Sequence, residues 1–298
     1  MTGARVTGAR RIAWVSRVVA DLDRAAAFYR HALGFRIAWR GPVDRTVLSA
    51  LGMGRLRARQ AVLRLGGQTV ALVQFSRRGR RYPPDSRSDD LWFQHLAIVV
   101  SDIEAAYARL ERHAGWRPIT DGPPQKLPQE DGRVRAYKFR DPDGHPLELL
   151  WFPPGQGRAV WHRRGPETLF LGIDHSALSI ASPRCSVRFY KTLGWRVTER
   201  TLNHGPRQAA LDGLAQAHVQ VTALRPCLPS GPGLELLAYQ PPGRATRPHA
   251  ANDLVTDWTT LAATPGRLPR AVRDPDGHIL LVAGHGGSIG APAWGPIT

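Results

Sequence analysis

The sequence predicts an α+β chain of four β-α-β-β-β units, paired in chain order into two domains, with the last unit cut short. Three observations carry this. Arg140-Asp141-Pro142-Asp143-Gly144-His145 recurs as Arg273-Asp274-Pro275-Asp276-Gly277-His278 near the end of the chain. Phe28-Tyr29 returns as Phe189-Tyr190, 189 − 28 = 161 residues on, and Leu33-Gly34 returns as Leu193-Gly194, 160 residues on. Asp90-Leu91 returns as Asp253-Leu254, but the distance to the repeated turn falls from 141 − 90 = 51 residues to 274 − 253 = 21. The missing thirty residues amount to about one helix and one strand. Self-similarity at a fixed spacing is the signature of an internal repeat. The predicted domains are 10–156 (units 10–77 and 88–156) and 168–285 (units 168–240 and a truncated 250–285).

In the first unit, Arg11 to Val19 is β-branched and apolar, and reads as a strand. Asp21 is a good helix N-cap, followed by Ala25, Phe28, Tyr29, Ala32 and Leu33 at helical spacing. Gly34 ends the helix and Phe35 to Trp39 begins the next strand. Gln60 to Leu65 and Thr69 to Phe75 complete the unit. The second unit repeats the design, with Ser101-x-x-Glu104 as a capping box, and strands near Arg133 to Phe139 and Pro146 to Phe152. The third starts with a strand through His175, then Ser182 as N-cap and Pro183 at the first helical position. Its later strands are expected near Gln208 to Leu211, Val219 to Leu224 and Leu234 to Tyr239.

Asp141-Pro142-Asp143-Gly144 has the composition of a tight turn, in which Pro pre-sets φ and Gly closes. The strand after it carries Glu148 among Leu147, Leu149 and Leu150. A carboxylate inside an apolar strand is costly unless it is paired, hydrogen-bonded or bound to a metal.

At 298 residues the chain is long enough for about two domains. No run approaches the ~18 apolar residues of a membrane helix. The N-terminus lacks the apolar core of a signal peptide, its first ten residues are expected to be a loose tail, and a cytoplasmic location is expected. Cys185 and Cys227 make no disulfide framework. The net charge of +17 is spread along the chain. It comes without a helix-turn-helix, zinc finger or stacking platform, so neither nucleic acid nor a membrane is the expected partner.

With the repeats and motifs in place, the chain resembles the vicinal oxygen chelate superfamily, which includes glyoxalase I, bleomycin-resistance proteins and extradiol dioxygenases. The resemblance rests on the strand, Asp-Leu, Phe-Tyr and Leu-Gly pattern opening units one and three, and on Asp-Pro-Asp-Gly-His-x-Leu-Glu-Leu closing unit two. It spans residues 11 to 284. It implies that paired units form a cup, in which a divalent metal (Fe, Zn, Mn or Ni) is chelated by two oxygens of a small-molecule ligand. It also implies metal ligands from a His or Gln on each unit's first strand and a Glu on its last. Carried over by position, the first-strand sites are Trp14, His95, His175 and Trp258, and the last-strand sites are Ala71, Glu148, Glu235 and Leu281.

His95 and Glu148 are the candidate catalytic pair, and His95, Glu148, His175 and Glu235 the candidate metal ligands. With sequential pairing these fall into two half-sites, one per domain, with Gln94 as a candidate third ligand beside His95. Trp14 and Trp258 are then expected to line the cups against a flat substrate, or simply to fill space where ligands were lost. Iron-dependent ring cleavage drawing on the C-terminal pair is disfavoured, because Trp258 and Leu281 cannot ligate. The expected function is a lyase, isomerase or dioxygenase-like enzyme acting on an oxygenated, possibly aromatic substrate through a metal or a His/Glu acid–base pair. A ligand-sequestering, resistance-type protein with degenerate metal sites is the alternative. A homodimer is allowed but not required.

Overall fold

A computed structural model describes residues 11–127, 133–163, 165, 168–226, 231–245, 249–263 and 268–284. Cys227, His285 and the first ten residues lie outside this set. The first unit contains β1 (Arg11–Val18), α1 (Leu22–His31), β2 (Arg36–Pro42), α2 (Arg45–Ala50), β3 (Ala58–Leu65) and β4 (Gln68–Phe75). The second contains β5 (Gln94–Val100), α3 (Ile103–Glu111), β6 (Arg117–Pro118), β7 (Gln125–Lys126), β8 (Arg135–Arg140) and β9 (Pro146–Trp151). The third contains β10 (Phe170–Ser179), α4 (Pro183–Thr192), β11 (Arg196–His204), α5 (Pro206–Asp212), β12 (His218–Arg225) and β13 (Gly233–Tyr239). The fourth keeps β14 (Asp257–Ala263), β15 (Arg270–Arg273) and β16 (Ile279–Gly284), with no helix among its described residues.

Local signals act largely as their chemistry dictates. Asp21 accepts from the Asp23 and Arg24 amides to cap α1, and Ser182 caps α4 through the Cys185 amide with Pro183 inside the first turn. Two expectations need correction. The cap of α3 is Asp102, whose carboxylate accepts from the Ala105 amide, rather than a Ser101–Glu104 box. Gln208 to Leu211 is helical, not a strand. Pro206 opens that helix, Gly213 closes it at φ 61°, and the Gln208 amide donates to Asp212 one turn on. A four-residue apolar run cannot distinguish the two states by pattern alone.

The sheets do not pair the units in chain order. One sheet runs β15-β16-β14-β1-β4-β3-β2, joining units one and four, and the other runs β11-β12-β13-β10-β5-β9-β8-β6, joining units two and three. The predicted boundary between 156 and 168 therefore cuts through neither sheet's edge; each sheet takes one unit from either side of it. β1 meets β14 and β10 meets β5, both antiparallel.

Chain-order neighbours still touch, through the repeated turn. The Tyr29 hydroxyl donates to Asp141 (3.0 Å), the Ala20 amide to Asp143 (3.2 Å), and His145 Nε2 reaches the Val18 carbonyl (2.8 Å). Units three and four repeat all three contacts, as Tyr190 to Asp274 (3.1 Å), Ala181 to Asp276 (3.1 Å) and His278 Nε2 to the Ser179 carbonyl (2.9 Å). His145 and His278 are thus bracing groups at strand starts. A core of Leu, Ile, Phe and Tyr from all four units lies between helices and sheets.

Candidate metal centre

Cross-strand register assembles the site. Residues directly opposite in neighbouring strands share a face. His95 on β5 faces Ala177 on β10, which faces Glu235 on β13. His175 on β10 faces Ala97 on β5, which faces Glu148 on β9. The four candidate ligands thus occupy one face of one sheet, two on each side of a pseudo-twofold axis. Ala97 and Ala177 at the centre are fully buried and small enough to leave a hollow. The two half-sites expected from sequential pairing are one cluster.

Glu148 Oε2 lies 3.1 Å from His95 Nε2 and 3.8 Å from His175 Nε2, and Glu235 Oε2 lies 3.4 Å from His175 Nε2. Metal–ligand bonds of about 2.0–2.2 Å place neighbouring donors roughly 3–4 Å apart, so these separations suit a shared ion. Donor atoms of His95, Glu148 and His175 all fall within 4.8 Å of one another. His95 is 2% exposed, yet neither ring nitrogen has an aligned hydrogen bond. A buried imidazole whose nitrogens lack well-aligned hydrogen bonds is costly, and an ion at Nε2 would remove part of that cost. The residues present therefore fit a divalent metal.

His175 carries a supporting carboxylate. Asp174 Oδ2 lies 3.1 Å from its Nδ1, and Trp161 Nε1 donates to Asp174 Oδ1 (3.2 Å). Such a carboxylate fixes the Nδ1–H tautomer and turns the Nε2 lone pair toward the hollow. Adjacent strand residues normally face opposite ways, but a register shift between Ile173 and His175 lets Asp174 turn to its neighbour. Lys138, across from Glu148 on β8, is 4% exposed and donates to Asp212 at 2.7 Å. Sequence reasoning missed Asp174, Trp161, Lys138 and Asp212. The Asp-His dipeptide was the available hint for the first, and no short-range signal marks the others.

Charge follows from burial and neighbours. Burial brings the His95 imidazole down to about 4 against the pull of Glu148, so it is neutral at pH 7. Burial would raise Glu148, but Lys138, His95 and His175 hold it down at about 2. Burial likewise opposes charge on His175, yet Glu235, Asp174 and Glu148 raise it to about 9. Enclosure raises Glu235 above the usual carboxylate range, with His175 acting against it. A metal entering this cup must therefore displace a proton from His175.

The cup has a volume of about 690 Å³, and Thr198, Thr201, Asn203, Gln208 and Arg225 line its walls. Trp14 and Trp258 are elsewhere, which corrects the expectation that they line a substrate cup. In the other sheet Trp14 faces Thr260, which faces Leu281, and Trp258 faces Ser16, which faces Ala71. These are the register positions of the four candidate ligands, occupied by groups that cannot ligate. Trp258 is 2% exposed and packs edge-on to Phe75 among Val47, Leu48, Leu254 and Ile279, so this cup is filled by its own core. Gln94 turns away from the metal site and donates to Ser176, so it is no third ligand to His95.

Known proteins are similar to this chain in sequence and in fold. The Glyoxalase/Bleomycin resistance protein/Dioxygenase superfamily pattern matches residues 11–149. A 2-epi-5-epi-valiolone epimerase from Actinomyces sp. is 33% identical over 169 residues, which cover 52% of this chain and 86% of the relative. The Escherichia coli protein YaeR is 30% identical over 151 residues, covering 48% of this chain and 96% of YaeR. Glyoxalase I from Zea mays superposes with a TM-score of 0.54 at 18% identity, over 92% of each chain. A mutant of the same enzyme reaches 0.58 at 16% identity, over 94% of this chain and 95% of that one. The chain belongs to the glyoxalase/bleomycin resistance/dioxygenase superfamily. Among the described residues no helix is long and apolar enough to cross a membrane.

Proposed function

We propose that the protein is a metal-dependent isomerase that moves a proton at the carbon beside a carbonyl, in a small substrate with two neighbouring oxygens. The observation that carries this is the convergence of His95, Glu148, His175 and Glu235 on one hollow. His95, Glu148 and His175 would hold the ion. When bound, it supplies a Lewis acid that makes the adjacent C–H more acidic.

The chain's own groups then have distinct tasks. Lys138 keeps Glu148 ionised, and Asp174 keeps the His175 ring turned to the hollow. Glu235, at 27% side-chain exposure against 6% for Glu148, stands on the open side and is assigned as the proton carrier. Its carboxylate takes the proton from the carbon and passes it to water, and a proton from solvent returns to the opposite face of the same carbon, which inverts it. Thr198, Thr201, Asn203 and Gln208 suit a hydroxylated substrate better than a purely aromatic one. The likeness to a 2-epi-5-epi-valiolone epimerase favours the isomerase over a lyase or dioxygenase.

The test is proton exchange in D₂O, with 2-epi-5-epi-valiolone as the first substrate, followed by NMR. The zinc-, manganese-, nickel- or iron-loaded protein should place deuterium beside the carbonyl. Glu235→Gln should slow this by about 10²–10⁴-fold while keeping its metal. Tight metal binding with no exchange in this or related hydroxyketones would overturn the isomerase assignment.

A further inference from the structure

Every unit places an arginine opposite the residue two before its last-strand ligand position. Arg64 faces Thr69, Arg140 faces Pro146 and Arg273 faces Ile279, two before Ala71, Glu148 and Leu281. One step past the Leu224–Leu234 pair, Arg225 on β12 stands opposite Gly233, two before Glu235. Arg140 and Arg273 are committed to the frame. The first donates to the Gly144 and Ser86 carbonyls, the second to the Gly277 and His249 carbonyls. In the third unit the carbonyl matching Gly144 is that of Gly231, and Arg158 donates to it instead (3.4 Å). Arg225 makes no hydrogen bond or ion pair with any described residue.

Its side chain turns to the metal cup. Arg225 is half-buried and lines that cup together with His175 and Glu235. A Cβ on Gly233 would stand 3.3 Å from Arg225 Cζ and 3.4 Å from Nη1, so the guanidinium lies over the bare backbone of β13. Gly233 is the register partner of His175 on β10. Neighbouring strands are about 4.8 Å apart, so the charge reaches to within one strand of His175, on the face that carries Glu235.

The acids of the cup are otherwise placed. Asp174 has one oxygen on His175 Nδ1 and the other on Trp161 Nε1, and Glu199 lines the cup from an exposed position on β11. Burial and the Arg225 charge both push the Arg158 pKa down, with Asp174 acting against them, so two cations share this end of the cup. A guanidinium keeps its charge in a protein, and holding it half out of water without a partner is costly.

We propose that Arg225 is the specificity residue of the cup, and that the substrate is an acidic hydroxyketone whose phosphate or carboxylate seats on this guanidinium. Its neighbouring oxygens then face the hollow of His95, Glu148 and His175. The planar fork of donors matches such an oxyanion two bonds at a time. The inference rests on the hydroxyketone reading of the cup and narrows it to the charged members of that class.

Three probes test it: dihydroxyacetone, dihydroxyacetone phosphate, and 5-hydroxylevulinate, which carries a carboxylate instead. Dissociation constants are read by NMR titration of the full-length protein, so no turnover is needed. One acidic probe or both should bind about tenfold or more tighter than dihydroxyacetone, and which of them does so separates a phosphate site from a carboxylate site. The preference needs no zinc, so it should appear in the zinc-loaded and the zinc-free protein alike. Arg225→Gln should erase it with zinc content unchanged. Arg225→Lys, which keeps the charge but not the fork, should keep part of it. Equal binding of all three probes, or a preference that survives Arg225→Gln, would overturn the proposal. Proton exchange is scored separately: acidic binding through Arg225 without exchange would count against the isomerase and for this site.

Discussion

His95 and His175 sit on adjacent antiparallel strands with ring centroids 5.6 Å apart and planes at 67°. They come from different halves of the chain, eighty residues apart, and the carboxylate of Glu148 lies within 3.8 Å of both Nε2 atoms. The site is therefore a property of the joint between units two and three, and its variants should behave as parts of one centre.

Removing Asp174 tests that joint. Asp174→Asn keeps the shape but weakens the hold on His175, and should lower metal affinity by about 10–100-fold. Competition with a fluorescent chelator measures it. The fold should be unaffected by circular dichroism.

The silent cup should respond to a different insult. Trp258→Ala opens a cavity among Phe75, Leu48 and Ile279, at a cost of about 3–5 kcal/mol. Denaturant titration reads that loss. Metal content should match that of the wild type, since Trp258 lies in the other sheet.

Lys138 and Asp212 form a buried ion pair at 2.7 Å. Lys138→Met leaves the buried Asp212 carboxylate without its cation, and should cost about 3–5 kcal/mol. Lys138→Met with Asp212→Leu should recover most of it in the same urea titration. A double variant as unstable as the single one would refute the pairing.

His145 predicts a pH dependence. Burial alone would lower its pKa, but Asp257 and Asp141 raise it above the ordinary value of 6.5. A raised folded-state pKa means the folded protein holds the proton more tightly than the unfolded chain. The stabilisation is fully present below about pH 6.5 and disappears as pH rises through the folded-state value. Stability measured from pH 6 upward should fall in that window, and Asp257→Asn should flatten the slope.

The repeats were readable because they are local chemistry. Asp141 and Tyr29 fix a turn and a helix within a few residues of themselves, and the ligand positions follow by counting from the helix cap. The partner of each unit was not readable, since β5 meets β10 across some eighty residues and nothing in either strand names the other. That one non-local fact turns two half-sites into a whole and sends Trp14 and Trp258 to a different sheet. Asp174 was hidden for a smaller reason: a bulge reverses the side that alternation assigns to it.

The nested pairing, outer units with outer and inner with inner, bears on how such a chain can change. YaeR, at about half this length, matches it almost end to end. A tandem copy of so short a protein folded this way makes two equal cups, and each cup draws one unit from each copy. Neither copy can then be discarded whole, yet the ligands of one cup can drift freely while the other stays under selection. Trp14, Ala71, Trp258 and Leu281 are spread over both halves of the chain yet confined to one sheet, so a change at any of them leaves the other cup's register untouched.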